Sequence, residues 1–275
     1  MSIKSKVLAA AATLTLVGGV GAAGALTAGT AAAATPSCGH SCIDIFSRDF
    51  GTHASPNFVV DVLRQGENVG QPIILFRTSN SDPAEDFTVS LQGTVADFFA
   101  AGLVSAAVNL HYGGGACALK ENATDAGDPD VVGQPDPAAG TCETFFPDLP
   151  AFELEYAPFG VDSGLCMGLA ATAVANEGVT LQPCGVSAKT VWITDTNDSP
   201  ATLANGYIPL INGSDTNFSH PFVLTYPAFG FPTDKPRPQL KVTNLTGFSH
   251  GFPPGPILST VNSNQLWGAD FGVLK

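Results

Sequence analysis

Apolar and polar positions along this chain change over in short bursts, not in long helical stripes. Runs such as Phe58-Val59-Val60-Asp61-Val62-Leu63, Pro72-Ile73-Ile74-Leu75-Phe76 and Phe87-Thr88-Val89-Ser90-Leu91 are β-prone and bounded by Gly, Pro, Asn and Asp. Later runs are Val179-Thr180-Leu181, Val191-Trp192-Ile193 and Gln239-Leu240-Lys241-Val242. Short strands between turn residues predict an all-β protein. The stretch from Ala100 to Ala107 fits a short helix, although Gly102 interrupts it, and Ala107-Val108-Asn109-Leu110-His111-Tyr112 alternates as a strand would. The most irregular segment, 113–140, is bracketed by Cys117 and Cys142 and reads as a stapled surface excursion. No linker rich enough to divide the chain follows residue 35, so residues 35–275 are expected to form a single domain.

Residues 1–34 read as a secretory signal peptide. Lys4 and Lys6 give a positive start, an Ala-rich apolar stretch follows, and Ala32-Ala33-Ala34 offers a cleavage site before Thr35. An apolar stretch of this kind reaches the ~20 residues a membrane anchor needs, but the small-residue end favours a removed signal, a secreted extracellular product and no membrane insertion afterwards. The six cysteines, Cys38, Cys42, Cys117, Cys142, Cys166 and Cys184, all lie beyond it. An even count in an exported chain predicts disulfides, and sequence proximity suggests 38–42, 117–142 and 166–184. The alternative for Cys38-Gly39-His40-Ser41-Cys42 is zinc, but no second Cys/His cluster completes a tetrahedral set.

Composition removes several function classes. An apolar share of 44% is too high for whole-chain disorder. With 24 acidic against 11 basic side chains, a net charge of −13 and no basic run, nucleic acid and anionic membrane surfaces are poor partners. For catalysis, the chain carries neither a His-Glu-any-any-His helix motif nor a phosphate loop. Its histidines, His40, His53, His111, His220 and His250, are scattered. Glu153 and Glu155 alternate along Phe152-Glu153-Leu154-Glu155-Tyr156 and share a face, read as a solvated strand face rather than a glycosidase pair. Asp125, Asp128 and Asp130 lack the fuller calcium-loop pattern. No enzymatic activity and no cofactor are expected.

The chain also repeats itself. A strand–turn–strand–aromatic unit recurs as Phe58 to Phe87, as Leu165 to Trp192 and, with a Gly/Pro-rich insertion around 247–255, as Phe222 to Trp267. The repeat cores are placed at about 56–112, 152–200 and 218–275. Three copies are too few for a solenoid and suit a closed three-fold barrel.

These units resemble the ricin-type lectin β-trefoil family, with long insertions. Gln265-Leu266-Trp267 matches its Gln-any-Trp signature, and Val191-Trp192 and Asp86-Phe87 match it partly. The resemblance implies a disulfide-stabilised β-trefoil, with Cys166 and Cys184 placed as the family's within-repeat bridge. It also implies a sugar site built from an Asp, a stacking aromatic and an amide. In the first repeat these positions correspond to Asp61, Phe76 and Glu85, with Asn80 as a substitute amide. Gly168 stands at the Asp position of the second repeat and Thr225 at that of the third, so at most one lobe keeps the pattern. The resulting expectation is a secreted, non-catalytic carbohydrate-binding protein recognising a carbohydrate or cell-surface glycan. The rival expectation is a secreted structural or protein-binding trefoil, an inhibitor or envelope component, without sugar binding.

Overall fold

Val, Ile, Phe and Thr dominate the short runs, and side chains of that shape favour the pleated, half-buried surface of a strand. A computed structural model describes residues 42–48, 51–52, 55–56, 58–79, 82–113, 148–194, 206–227, 238–249, 255–256 and 261–271. Residues Thr35–Lys275 form one compact unit, and Met1–Ala34 falls outside it. Among the described residues twelve strands make one sheet. They are β1 (Ile43–Ser47), β2 (Phe58–Val62), β3 (Ile73–Arg77) and β4 (Phe87–Thr94) in the first lobe. The second lobe holds β5 (Pro150–Tyr156), β6 (Leu165–Leu169), β7 (Val179–Pro183) and β8 (Val191–Thr194). The third holds β9 (Leu210–Asn212), β10 (Phe222–Thr225), β11 (Lys241–Asn244) and β12 (Trp267–Phe271).

Six of these strands close a ring. β1 pairs with β4, β4 with β5, β5 with β8 and β8 with β9. Ile208, just before β9, bridges Trp267, and β12 returns to β1. Closure removes the exposed edges that an open sheet would present. The hairpins β2–β3, β6–β7 and β10–β11 cap this barrel and meet in a cyclic pattern. Pro72 bridges Thr180, Gly178 bridges Lys241, and Gln239 bridges Ile74, so each hairpin touches the next in the same way. Six barrel strands with three mutually bridged hairpins constitute a β-trefoil.

The three closing aromatics occupy equivalent, inward positions: Phe87 and Trp192 are fully buried and Trp267 is 1% exposed. Trp192 donates its indole N–H to Met167 O at 2.9 Å and Trp267 donates to Leu224 O at 2.8 Å. They share one core with Val60, Leu75, Leu181 and Val242. The Cys166–Cys184 disulfide is formed, with Cα atoms 5.0 Å apart. Cys42 is disulfide-bonded as well, which removes its thiolate from any zinc site. Cys38, Cys117 and Cys142 lie outside the described residues, as do the signal segment, His40, Asp125, Asp128 and Asp130.

Two expectations are corrected. Ala107–Tyr112 is helical: α1 (Val95–Ala100) is followed by α2 (Ala106–Tyr112). The Ser105 side chain caps α2 by accepting from Val108 N at 3.2 Å. Val108 and Tyr112, one helical turn apart, are buried, whereas Leu110, which a strand would have placed beside them, is 40% exposed. The two helices cover the outward faces of β8, β9 and β10 through Val191, Ile193, Ile211 and Val223. Glu153 and Glu155 do not lie on a solvated face, because both are buried. Glu153 accepts from Gly185 N at 3.0 Å and from the Thr190 hydroxyl, and Glu155 accepts from Gly164 N at 2.6 Å. Burial holds the Glu155 carboxyl above its ordinary range, with Asp162 and Glu153 adding to the effect and the Gly164 amide opposing it. Among the described residues no helix is long and apolar enough to cross a membrane.

Candidate functional site

Asp61 comes near the end of β2, where the pleat sends Val60 and Val62 into the central core. Its own side chain therefore leaves on the other face, together with Val59 and with Ile74 and Phe76 of β3. Phe76 is half-buried there. The chain then turns through Thr78 and Ser79 and enters a 3-10 turn, Pro83–Glu85. Asp82 starts that turn and accepts from Ala84 N at 3.0 Å, and its Oδ1 also accepts from Gln65 Nε2 at 3.0 Å. Glu85 is fully buried and accepts from Ser79 N at 2.9 Å and from Thr78 Oγ1 at 3.2 Å. The outcome is an acidic group in which one carboxylate oxygen each from Asp61, Asp82 and Glu85 lies within 4.8 Å of the others. Asn80 lies outside the described residues.

Core pairs match the three hairpins to one another: Val60–Leu75, Met167–Leu181 and Leu224–Val242. One residue further, Asp61 corresponds to Gly168 and Thr225, and Phe76 to Gln182 and Thr243. Likewise Glu85, Thr190 and Gln265 end the 3-10 turns two residues before the closing aromatics. Gly168 is glycine for a reason of space. A Cβ there would lie 2.8 Å from both Lys189 O and Thr190 Cγ2, so no side chain fits. Thr225 is already engaged, with its hydroxyl bonded to Val223 O at 2.9 Å and sharing a 2.8 Å contact with Thr243 Oγ1.

Glu85 occupies the place that Gln265 holds in the Gln-any-Trp spelling, and the place has a structural duty. In each lobe the amide two residues past the second hairpin strand is capped by a buried side-chain oxygen. Ser79 N donates to Glu85, Thr246 N donates to Gln265 Oε1 at 2.9 Å, and Gly185 N donates to Glu153 because Thr190 is too short to reach it.

Three participants were missed from sequence: Asp82, Glu67 and Tyr156. Asp82 had a legible signal, since Asp-Pro-Ala-Glu spells a capped turn start with Pro in its first turn. Tyr156 had none, because it lies 95 positions from Asp61 in the chain, on β5, and meets this lobe through its pairing with Phe87. Its ring packs on Phe87 with centroids 5.8 Å apart, and its hydroxyl is buried without a hydrogen-bond partner. Burial first, then the negative charges of Glu67, Asp61, Asp82 and Asp86, push its phenol above the ordinary range.

No family model matches the chain, and no curated protein matches it. Among solved structures it is similar to a designed 3-fold symmetric protein, ThreeFoil, at 11% identity and a TM-score of 0.40. The match covers 83% of this chain and 97% of that one.

A spelling outside the first lobe also needs placing. Gly247-Phe248-Ser249-His250-Gly251 reads as a Gly-any-Ser-any-Gly nucleophile elbow. That motif requires a sharp strand-to-helix turn. Here Phe248–Ser249 is a two-residue strand paired with Gly255–Pro256, and His250 and Gly251 lie outside the described residues.

Proposed function

We propose that the chain is a secreted, non-catalytic carbohydrate-binding protein of ricin-type lectin character, with its single sugar site in the first lobe. The observation that carries this reading is the meeting of Asp61 and Phe76 on one hairpin face, where the equivalent positions are Gly168 with Gln182 and Thr225 with Thr243. A carboxylate accepts from paired sugar hydroxyls in charge-assisted bonds, and an aromatic ring covers the sugar's C–H face. Neither Gly168 nor the engaged Thr225 offers that chemistry. Export follows from the charged start, apolar run and Ala triplet of residues 1–34.

One observation favours a second reading, a secreted structural or protein-binding trefoil without a sugar site. Asp61 is only 3% exposed and Glu85 is 0% exposed, so a sugar would reach Asp61 only at its rim. Titration of simple galactosides and oligosaccharides against wild type and Asp61→Asn separates the two. The lectin reading expects saturable binding that Asp61→Asn abolishes. Binding unchanged in Asp61→Asn, or absent throughout, supports the second reading instead.

A further inference from the structure

Asp61 and Glu85 lie beneath the surface of the first lobe, so a saccharide at that lobe needs polar partners that reach solvent. Two are present, and a strained turn places one of them. Beyond β2 the chain passes through Arg64 at φ 59° and Gln65 at φ 55°, both in the left-handed region that residues with a Cβ rarely adopt. The matching positions of the second hairpin, Ala171 and Thr172, are not in that region. The turn is held by its own far side. Leu63 N donates to Pro72 O at 3.1 Å, and Gln71 Nε2 donates to Leu63 O. Gly66 packs so closely on Gln71 that a Cβ there would lie 2.6 Å from Gln71 Cδ. Strain of this kind persists only where the surroundings over-determine it, and it gathers at binding sites.

The turn aims Gln65 at Asp82, 17 positions further along the chain. Gln65 is exposed and Asp82 half-buried, so both meet water. Gln65 Nε2 donates to Asp82 Oδ1 at 3.0 Å, and the same oxygen accepts from Ala84 N at 3.0 Å. An amide facing a carboxylate presents its NH₂ group, which fixes how the Gln65 side chain is turned. Its second N–H, its Oε1 and Asp82 Oδ2 make no hydrogen bond among the described residues. One carboxylate oxygen of Asp82 lies within 4.8 Å of one of Asp61, and Phe76 stands on the hairpin face of Asp61. A single hydrogen bond at the surface adds modestly to stability. The Gln65–Asp82 tie therefore gives no structural reason to hold two neighbouring residues left-handed.

We propose that Gln65 and Asp82 are the specificity-determining pair of the first lobe, gripping a neutral saccharide by two adjacent hydroxyls while Phe76 covers its C–H face. The second N–H of Gln65 donates to one hydroxyl oxygen, and Asp82 Oδ2 accepts from the hydroxyl beside it. A donor and an acceptor held side by side match two neighbouring hydroxyls, each of which both gives and takes a hydrogen bond. The bond to the Asp82 carboxylate is charge-assisted and the stronger of the two. The pair rests on the lectin reading above and supplies the solvent-facing contacts that buried Asp61 offers only at its rim.

The test is calorimetric titration of the full secreted chain with methyl glycosides of galactose, glucose and mannose and with their single-deoxy forms, beside thermal melts. Wild type is expected to bind a parent glycoside about tenfold more tightly than the form lacking one of two adjacent hydroxyls. Gln65→Gly removes the amide and relieves the left-handed backbone, so it should melt at or above the wild-type temperature. It should also bind the parent about tenfold more weakly and lose the preference over the deoxy form. Asp82→Asn keeps the turn cap, since Asn caps as well as Asp, and should weaken binding by a similar factor. A lower melting temperature in Gln65→Gly, with affinity and deoxy preference intact, makes the pair a structural tie and overturns the proposal. Saccharide binding that Gln65→Gly and Asp82→Asn both retain overturns this inference alone and leaves the lectin reading standing. Wild-type binding to no saccharide overturns both.

Discussion

Gln265 in the third lobe both gives and takes hydrogen bonds, whereas Glu85, at the same point of the first lobe, is a carboxyl that takes them from Ser79 and Thr78. The surrounding frames are alike: a 3-10 turn, a buried side chain capping a turn amide, and an aromatic two residues on. In the third lobe the described side chains of Gln265, Thr225, Thr243 and Thr246 hydrogen-bond to one another. The first places three carboxyl groups, those of Asp61, Asp82 and Glu85, in the same frame. Equal backbones with unequal chemistry separate what the fold needs from what it has spare.

The largest effect expected from probing that comparison is at the anchors both lobes share. Trp267→Ala removes a core side chain that is 1% exposed and leaves Leu224 O without its donor, and it should cost about 3–5 kcal/mol in denaturant unfolding. A cost under about 1 kcal/mol would mean that the third lobe is not held as described. Gln265→Glu, which writes the first lobe's chemistry into the third, strips Asn244 O and Thr243 Oγ1 of their donor. It should destabilise by about 1–3 kcal/mol at neutral pH. The loss should shrink in acid, where the buried carboxyl regains a proton. The reverse change, Glu85→Gln, keeps an oxygen to accept from Ser79 N and should cost less, so equal costs for the two exchanges would break the comparison.

Smaller effects come from titration outside the first lobe. Burial raises the carboxyl of Asp215, against opposing bonds from the Asn217 and Phe222 amides and the Tyr112 hydroxyl, and burial raises Glu155 as well. A folded-state pKa above the unfolded one means that the folded chain holds the proton more tightly. The stabilisation from these two groups is fully present below their ordinary values, 3.8 for Asp215 and 4.5 for Glu155, and is lost as pH rises through the folded values. The urea midpoint should therefore fall modestly as pH rises above the ordinary value of 4.5, and Asp215→Asn should flatten that fall. A midpoint that rises over the same interval contradicts it.

The fold was legible where local pattern and core coincide. Phe87, Trp192 and Trp267 declared the three-fold repeat, and the Cys166–Cys184 spacing marked its second unit. The strands that open the first and third lobes, Ile43–Ser47 and Leu210–Asn212, went unread. Both are short, and their pairing partners Trp267–Phe271 and Val191–Thr194 are specified by barrel closure, not by neighbouring residues. Val108-Asn109-Leu110-His111-Tyr112 satisfies periods of both 2 and 3.6. Only the Ser105 cap and the covered barrel face decide for the helix. Asp61, Phe76 and Glu85 could be named from the repeat. Tyr156, on whose phenol the charge of Asp61 acts, comes from a strand of the next lobe.

The central claim is that the first lobe alone holds ligand chemistry. Hydrogen exchange of the mature chain, with and without a saturating oligosaccharide, tests it directly. The account predicts new protection confined to peptides spanning 58–86, with 165–190 and 222–265 unchanged. Protection centred on Thr225 and Thr243, or on the Gly168 hairpin, would contradict it.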